Sequence, residues 1–585
     1  MSVQQLLRRE WGPFKGLYGD VSASVVPHGY ASVATNVRLD NNVLETNPGN
    51  ILFNTNFSSG GGNSVYCKEI RFEDGGLLDR LGFGNSVDVL LVCSGNNWQY
   101  NTASTRVFIG YTEGTAAFTT GNTSVTGTST SWLTNVQAGD FIKANAHADS
   151  AFTEIASVGS DTAITLVAGG YLGATAGTGT YVARKDWDSA DLYPPTCEFL
   201  NDIGVLSNGT NTVLTLSNNT AATLINLTSN TSIAKITSLA SHKNRMFGAN
   251  VPDTTNQSTV YWSPVNAADG TWTASQAVFP SDGGGAIEAI ISYGGTLFVF
   301  KRFGKIYRMW GDFSTTAGTV DAITQIETPY SLGTILGKTV IKYDGLIWFL
   351  TSTGLYYSDG KSIQLATRAL ENYINNNESS LISTTSKNRY FSIAYKDRLY
   401  INLNTIFAIM DKDKNITLQD YTSDPTLTGN FAIGRFSSSS SWDLLSLGTV
   451  NNILQLEDGY VHTKTDDTTE NISITYTSED DYQDGPEYTK DYYAFYIVYE
   501  QTGSANTFLF SYDINNTGTF YTATTVTTTG TSGQIAVAKV PIYKQNVTNE
   551  LLDRKCIKWR IQGNNTGVNF KIIKVILRYT LLDLR

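Results

Sequence analysis

Tyr293-Gly294-Gly295-Thr296-Leu297-Phe298-Val299-Phe300, followed by Phe303-Gly304-Lys305-Ile306-Tyr307, is echoed fifty residues later. The echo is Tyr343-Asp344-Gly345-Leu346-Ile347-Trp348-Phe349-Leu350, then Thr353-Gly354-Leu355-Tyr356-Tyr357. Gly295 aligns with Gly345 and Gly304 with Gly354. Each copy reads as strand, two-residue turn, strand, glycine turn, strand. The Gly-Gly and Asp-Gly pairs supply the positive φ that primed hairpin turns require.

Looser copies lie outward on both sides. Upstream, Ile236 leads through His242-Lys243-Asn244-Arg245-Met246-Phe247-Gly248 to Val260-Tyr261-Trp262-Ser263. Downstream, Phe391 leads through Tyr395-Lys396-Asp397-Arg398-Leu399-Tyr400-Ile401 to Phe407-Ala408-Ile409-Met410. Further units span Phe431 to Leu456, Cys197 to Leu216 around Asn208-Gly209, and Val87 through Ser94-Gly95-Asn96-Asn97 to Trp98. That makes about seven units of 30–50 residues, a period typical of blades. A lone four-stranded sheet cannot bury both faces; stacking such sheets around an axis does, and leaves only short edges. The fold class expected is all-β: a β-propeller of about six to seven blades, with Trp and Phe at repeated positions packing between blades.

Two segments depart from the repeat. Residues 111–185 are rich in Thr, Gly and Ala, and carry period-two alternation in Val125-Thr126-Gly127-Thr128, Ile155-Ala156-Ser157-Val158 and Ile164-Thr165-Leu166. This reads as a small inserted β-barrel or sandwich. In residues 466–585, Ile557, Trp559 and Ile561 alternate with Lys558, Arg560 and Gln562, and Ile573, Val575, Leu577 and Tyr579 form one face of a last strand. Tyr492 to Tyr499 is apolar on both faces, as in a central or interface strand. The expected organisation is an N-terminal arm and docking segment (1–65), a propeller (66–110 and 186–465), the insert (111–185) and a C-terminal β-sandwich (466–585). Helical periodicity is confined to Ser362–Asn375 and, weakly, Gln4–Arg9.

The 585 residues are 41% hydrophobic and only 16% charged, against roughly 25% charged in ordinary soluble proteins. With 41 Lys and Arg against 52 Asp and Glu, the net charge is −11, giving no overall sign of a phosphate-gripping face. Cys67, Cys93, Cys197 and Cys556 form no close pair and read as isolated buried thiols. The first sixteen residues hold no apolar leader, and no apolar run approaches the ~18 residues of a membrane helix, so a soluble chain made in a cytoplasm is expected.

A catalytic site needs a positioned acid, base, nucleophile or metal. His28, His147, His242 and His462 stand far apart and read as surface or turn residues. No nucleophile elbow, phosphate-binding loop or HExxH is present, and Gly60-Gly61-Gly62 and Gly283-Gly284-Gly285 read as loops. Asp411-Lys412-Asp413-Lys414-Asn415 has calcium-loop spacing without the later Gly and Glu, and reads as a hairpin tip. The run Glu479, Asp480, Asp481, Asp484, Glu487 and Asp491 reads as an acidic loop, with a cation at a subunit junction as the alternative. Asp269-Gly270-Thr271-Trp272 reads as a structural turn. The expectation is no catalytic residue, no cofactor site, no metal site and no enzyme.

The stretch Gly16-Leu17, Pro27, Ala31, Asn36-Val37-Arg38-Leu39 and Leu44-Glu45-Thr46-Asn47-Pro48-Gly49 resembles the opening of tail and head–tail proteins of tailed bacteriophages, with Asn47 where those often have Arg. The Thr-rich module, from Val125 through Trp132 to Ala138-Gly139-Asp140, is similar to a small β-module recurrent in phage structural proteins. Propeller repeats with a terminal sandwich resemble the tail nozzle (tail tubular protein B) of short-tailed phages. The resemblance implies a virion tail component made in the host cytoplasm. It implies a homo-oligomer, a hexamer in that family, beneath a portal and adaptor ring and above tail fibre or tip proteins. DNA would pass through the lumen without specific binding and no membrane would be entered. The channel face is then expected to be neutral to acidic, since few Lys and Arg avoid a grip on phosphates. Two rival readings stand beside it: a glycan-binding or glycan-cleaving phage propeller, which needs a carboxylate pair about 5–9.5 Å apart, and a lectin-like or scaffold propeller unrelated to phage.

Overall fold

A computed structural model describes the chain from Leu6 to Leu581, apart from 19–25, 41–42, 48–49, 55–63, 72–87, 188–194, 218–223, 227–234, 250–255, 314–321, 377–389, 421–430, 435–442, 448–452, 457–460, 464–468, 483–487, 543–554, 566–569 and a few one- to four-residue breaks. The repeat read from the sequence becomes seven antiparallel four-stranded units among the described residues. Six are continuous in sequence, covering 64–108, 196–226, 238–278, 287–326, 341–367 and 391–420. The seventh takes Phe431–Gly434, Asp443–Leu447 and Ile453–Leu456 from one end of the chain and Asn50–Asn54 from the other, the last two strands pairing antiparallel. Its first strand lies against Ser64–Arg71 of the first unit. A propeller is thus closed by a strand from the N-terminal segment.

The tight turns follow the reading of the repeat. At four successive hairpin tips both central residues have positive φ: Lys243 and Asn244, Gly294 and Gly295, Asp344 and Gly345, Lys396 and Asp397. These are the primed turns whose twist matches paired strands. Between blades, the repeated aromatic and aliphatic positions form cores. Phe247 and Trp262 of the third blade pack with Ile290, Leu297 and Tyr307 of the fourth. Phe298 and Phe300 of the fourth pack with Ile347, Phe349 and Tyr356 of the fifth, the Phe300 and Phe349 rings 5.3 Å apart. Burying such rings between sheets contributes about 1.5–3 kcal/mol each.

The insert forms one seven-stranded antiparallel sheet from Thr115–Phe118 to Tyr181–Arg184 around its own core. Trp132 is fully buried there and donates from Nε1 to Tyr181 Oη at 2.9 Å; Tyr181 Oη in turn donates to Glu113 O at 2.7 Å. The polar ends of both rings are satisfied, as burial requires.

The C-terminal part is two sheets face to face. One runs Val37–Asp40, Val43–Thr46, Lys571–Leu581, Lys490–Glu500, Ile535–Pro541, with Leu7–Trp11 also on Lys571–Leu581. The other pairs Ala31–Thr35, Thr469–Ser478, Ile557–Asn565, Thr507–Ile514 and Tyr521–Thr527. Lys490–Glu500 is central, between two partners, as its two-sided apolar pattern predicts.

Three expectations need correction. Leu7–Trp11 is a strand, because pairing with 575–579 outweighs a weak local helical pattern. In the predicted helix Ser362–Asn375, Ile363–Thr367 is the outer strand of the fifth blade and only Glu371–Asn376 is helical, as a short stretch has no packing face of its own to outweigh the ladder. In the last strand Ile572, not Ile573, joins Val575, Leu577 and Tyr579 in the core, because the register shifts at Val498/Tyr499.

Candidate functional site

The N-terminal segment meets both the propeller and the sandwich, and the residues there do most of the polar work. Leu17 N–H donates to Ile416 O on the outer strand of the sixth blade at 2.6 Å, and Asn36 N–H to Leu418 O at 2.6 Å. A Cβ at Gly16 would run into the Ile416 carbonyl, so glycine is required by that approach. Asn36 adopts φ 55°, a conformation Asn tolerates. Its Oδ1 accepts from Asp420 N–H of the propeller at 2.7 Å, and its Nδ2 donates to Ser473 O of the sandwich at 2.6 Å. Its carbonyl accepts from Asn47 N–H at 3.0 Å. One buried amide therefore pins two domains.

Beneath this pin lies an aromatic cluster in which Trp11, Phe14, Tyr476, Phe495, Phe510 and Trp559 are buried together, with Tyr476 and Trp559 stacked at 5.5 Å. At its edge the acidic run begins. Glu479, Asp480 and Asp481 are 2%, 4% and 5% exposed, so they are not a solvated acidic loop; the residues are drawn in because Asp481 exchanges both backbone hydrogen bonds with Ile557. Asp484 and Glu487 lie outside the described residues.

Trp11 Nε1 donates to Glu479 Oε1 at 2.7 Å, and His28 Nδ1 approaches the same oxygen at 2.7 Å. His28 Nε2 lies 2.8 Å from Glu10 O, a group that only accepts. Arg9 Nε donates to Asp481 Oδ2 at 2.7 Å. Two buried carboxylates are thus met by a guanidinium, an imidazole and an indole, all from the N-terminal segment.

One nitrogen of His28 and one oxygen each of Glu479 and Asp481 lie within 4.8 Å of one another. Glu479 Oε1 and Asp481 Oδ2 already accept from Trp11 and Arg9, whereas Glu479 Oε2 is buried without a hydrogen-bond partner. The bonds that are made form a clasp between arm and sandwich.

Next to it Lys558 Nζ sits 3.5 Å from Asp480 and 3.6 Å from Asp513. Burial raises the Asp480 carboxyl, and it pushes the Cys556 thiol up to about 11, an unreactive thiol as expected. Cys197 is buried too; the side chains of Cys67 and Cys93 lie outside the described residues.

Tyr293 and Tyr343, which open the two sequence repeats, clasp neighbouring blades. Tyr293 Oη donates to Gly345 O and Tyr343 Oη to Asp397 O at 2.6 Å, each at the next hairpin tip. His242 holds the same place in the third blade and meets Ser292 Oγ of the fourth at 2.8 Å. His242 is 5% exposed, correcting its reading as a surface or turn residue. Burial, then the Lys243 and Lys342 charges, push it down to about 4. A cleft of about 400 Å³ opens between the tips of the fifth and sixth blades, lined by Tyr343, Asp344, Ala394, Tyr395, Lys396, Asp397 and Lys412.

The remaining sequence candidates are structural. Asp411 accepts from Asn415 N–H at 2.9 Å and closes a hairpin tip. Trp272 is buried and donates to Ala268 O at 3.0 Å, making Asp269–Trp272 a packed turn. His147 bonds Tyr171 Oη at 2.7 Å within the insert. The side chain of His462 and the loop Gly60–Gly62 lie outside the described residues. No sequence signal marked His28, Arg9 and Trp11 as partners of the acidic run, more than 450 residues away.

No protein-family model matches the chain, and no curated protein matches it. Among solved structures, the chain is similar to a streptogramin B lyase (9% identity, 67% of this chain and 97% of that one, TM-score 0.35). It is similar also to Saccharomyces cerevisiae Sqt1 (9%, 70% and 99%, TM-score 0.36) and to the WD40 domain of Neurospora crassa Pan2 (7%, 70% and 95%, TM-score 0.31).

Proposed function

We propose that the chain is a non-catalytic structural component of a bacteriophage tail, a nozzle or tail-tube protein that assembles into an oligomeric channel for genome ejection. The observation that carries the reading is the use made of the resembling N-terminal motif. Gly16, Asn36 and Asn47 of that motif are the residues that pack and bond the N-terminal segment between propeller and sandwich. A wall under load needs such cross-domain ties more than it needs a reactive pocket. The bonds that Asn36 makes reach both domains at once, which suits a load path.

The test is quantitative mass spectrometry of purified tailed particles that package this chain. The reading expects about six copies per particle, as closed rings require a fixed count, located in the tail. A chain absent from mature particles, or one that releases oligosaccharides from host polysaccharide, overturns it in favour of the glycan-directed reading.

A further inference from the structure

The seam between the N-terminal segment and the sandwich brings an imidazole nitrogen and two carboxylates together from distant parts of the chain. His28 Nδ1 lies 2.7 Å from Glu479 Oε1 and 3.7 Å from Asp481 Oδ2. A four-coordinate zinc ion holds nitrogen and oxygen ligands at about 2.0–2.2 Å, which sets neighbouring ligand atoms about 3.4 Å apart. The two observed separations bracket that spacing. Backbone bonds hold the carriers in place. Tyr30 N–H donates to Pro27 O at 3.1 Å and Gly29 has φ 88°, closing a tight turn with His28 at its corner. Asp481 is fixed by its paired backbone bonds to Ile557.

Two features set this group apart from a pair of acids. The first is the orientation of the ring. Glu10 O, 2.8 Å from His28 Nε2, only accepts, so the ring hydrogen is assigned to Nε2. Nδ1 then turns its lone pair toward two carboxylates, and a carbonyl fixing the far nitrogen is the usual outer support of a metal-ligating histidine. The second is Glu479 Oε2, which has no hydrogen-bond partner in a side chain only 3% exposed. A buried carboxylate oxygen left bare is costly, and a cation held by both oxygens of that carboxylate satisfies it. Trp11 Nε1 and Arg9 Nε, each 2.7 Å from a carboxylate oxygen, are compatible with such an ion. A carboxylate oxygen accepts more than one bond, and outer donors of this kind orient ligating carboxylates.

We propose that His28, Glu479 and Asp481 bind a divalent transition-metal ion, with Zn²⁺ the best fit, and that solvent completes its coordination on the side where the His28 side chain is 39% exposed. An imidazole ligand favours zinc and its neighbours over calcium and magnesium, which take oxygen ligands. The ion ties the N-terminal segment to the sandwich through His28 and Glu479, 451 residues apart. The unfolded chain offers no assembled site, so binding stabilises the fold. Nothing in this depends on the chain's being a tail protein.

The experiment uses the full chain, stripped with a chelator and then titrated with Zn²⁺, on wild type, His28→Gln and Glu479→Gln, read by metal content, isothermal titration and thermal melting. Wild type is expected to hold one Zn²⁺ per chain and to melt at a higher temperature with the ion than without it. His28→Gln removes the nitrogen ligand. Glu479→Gln removes the charge but keeps an acceptor for Trp11 Nε1. Each is expected to raise the Zn²⁺ dissociation constant by about a hundredfold or more and to abolish the melting shift. Because His28 is partly exposed, metal-free His28→Gln should melt with metal-free wild type, which separates lost binding from lost folding. Should Glu479→Gln disturb the seam, His28→Gln decides alone. Wild type that takes up no Zn²⁺, or His28→Gln that binds it with unchanged affinity, overturns the site. Displacement of the Zn²⁺ by an equal concentration of Ca²⁺ overturns it as well, since the imidazole would then have no part in the choice of ion.

Discussion

Asn36 offers the sharpest perturbation of the junction. Its side chain makes one bond to the propeller, from Asp420 N–H at 2.7 Å, and one to the sandwich, to Ser473 O at 2.6 Å. Alanine removes both, at about 1 kcal/mol each. It also places a β-carbon residue at φ 55°, which costs about 1 kcal/mol more for alanine than for asparagine. The sum is about 3 kcal/mol for Asn36→Ala. Glycine removes the same bonds but accepts the backbone angle, so Asn36→Gly should lose about 2 kcal/mol. Hydrogen exchange at 416–420 and 472–477, read beside urea unfolding, measures the effect where it acts. The order expected is wild type, then glycine, then alanine, with protection lost on both sides of the junction. Alanine within 0.5 kcal/mol of wild type, or glycine worse than alanine, refutes the reasoning.

Other consequences are equally direct. Glu479→Leu leaves the buried Trp11 Nε1 and His28 Nδ1 without their shared acceptor, and should cost about 1–3 kcal/mol, read as release of residues 6–18 to limited proteolysis; unchanged protection counts against the clasp. Tyr343→Phe should cost about 1 kcal/mol and raise exchange at the 396–397 tip; an unaffected tip rejects the interblade bond. His242 has a folded value near 4, below the ~6.5 of an unfolded histidine, so its contribution is present above that value and is lost as pH falls toward 4. That loss is about 2 kcal/mol between pH 7 and pH 5; urea titrations of wild type and His242→Gln at both pH values should differ in slope by this amount, and equal slopes exclude it.

The propeller was legible because its signal is local. Two-residue tips such as Gly294-Gly295 and Asp344-Gly345 announce their turn chemistry within four residues, and the apolar runs between them fix strand length. The closing strand Asn50–Asn54 was not, because its partner Ile453–Leu456 is about 400 residues away and register across that distance leaves no periodicity. It therefore read as part of a docking arm. The acidic run 479–481 likewise read as an acidic loop because nothing adjacent neutralises it; its partners, Arg9 and His28, come from the other end of the chain. Tyr293 and Tyr343 were visible as repeated residues, but their role as clasps depends on blade spacing, which only three dimensions supply. Gly16 and Asn36 stood out only as parts of a short stretch; their roles, a close approach to Ile416 and a left-handed asparagine bonded to both domains, depend on partners about 400 residues away or more.

The central claim, a propeller and sandwich tied into one passive wall element around a channel, is met most directly by an electron cryomicroscopy map of the assembled protein. The account predicts a closed ring with the N-terminal segment seated between propeller and sandwich in every subunit, and a lumen that is neutral to acidic. Detached sandwiches, or a ring lined by strong positive charge, would contradict it.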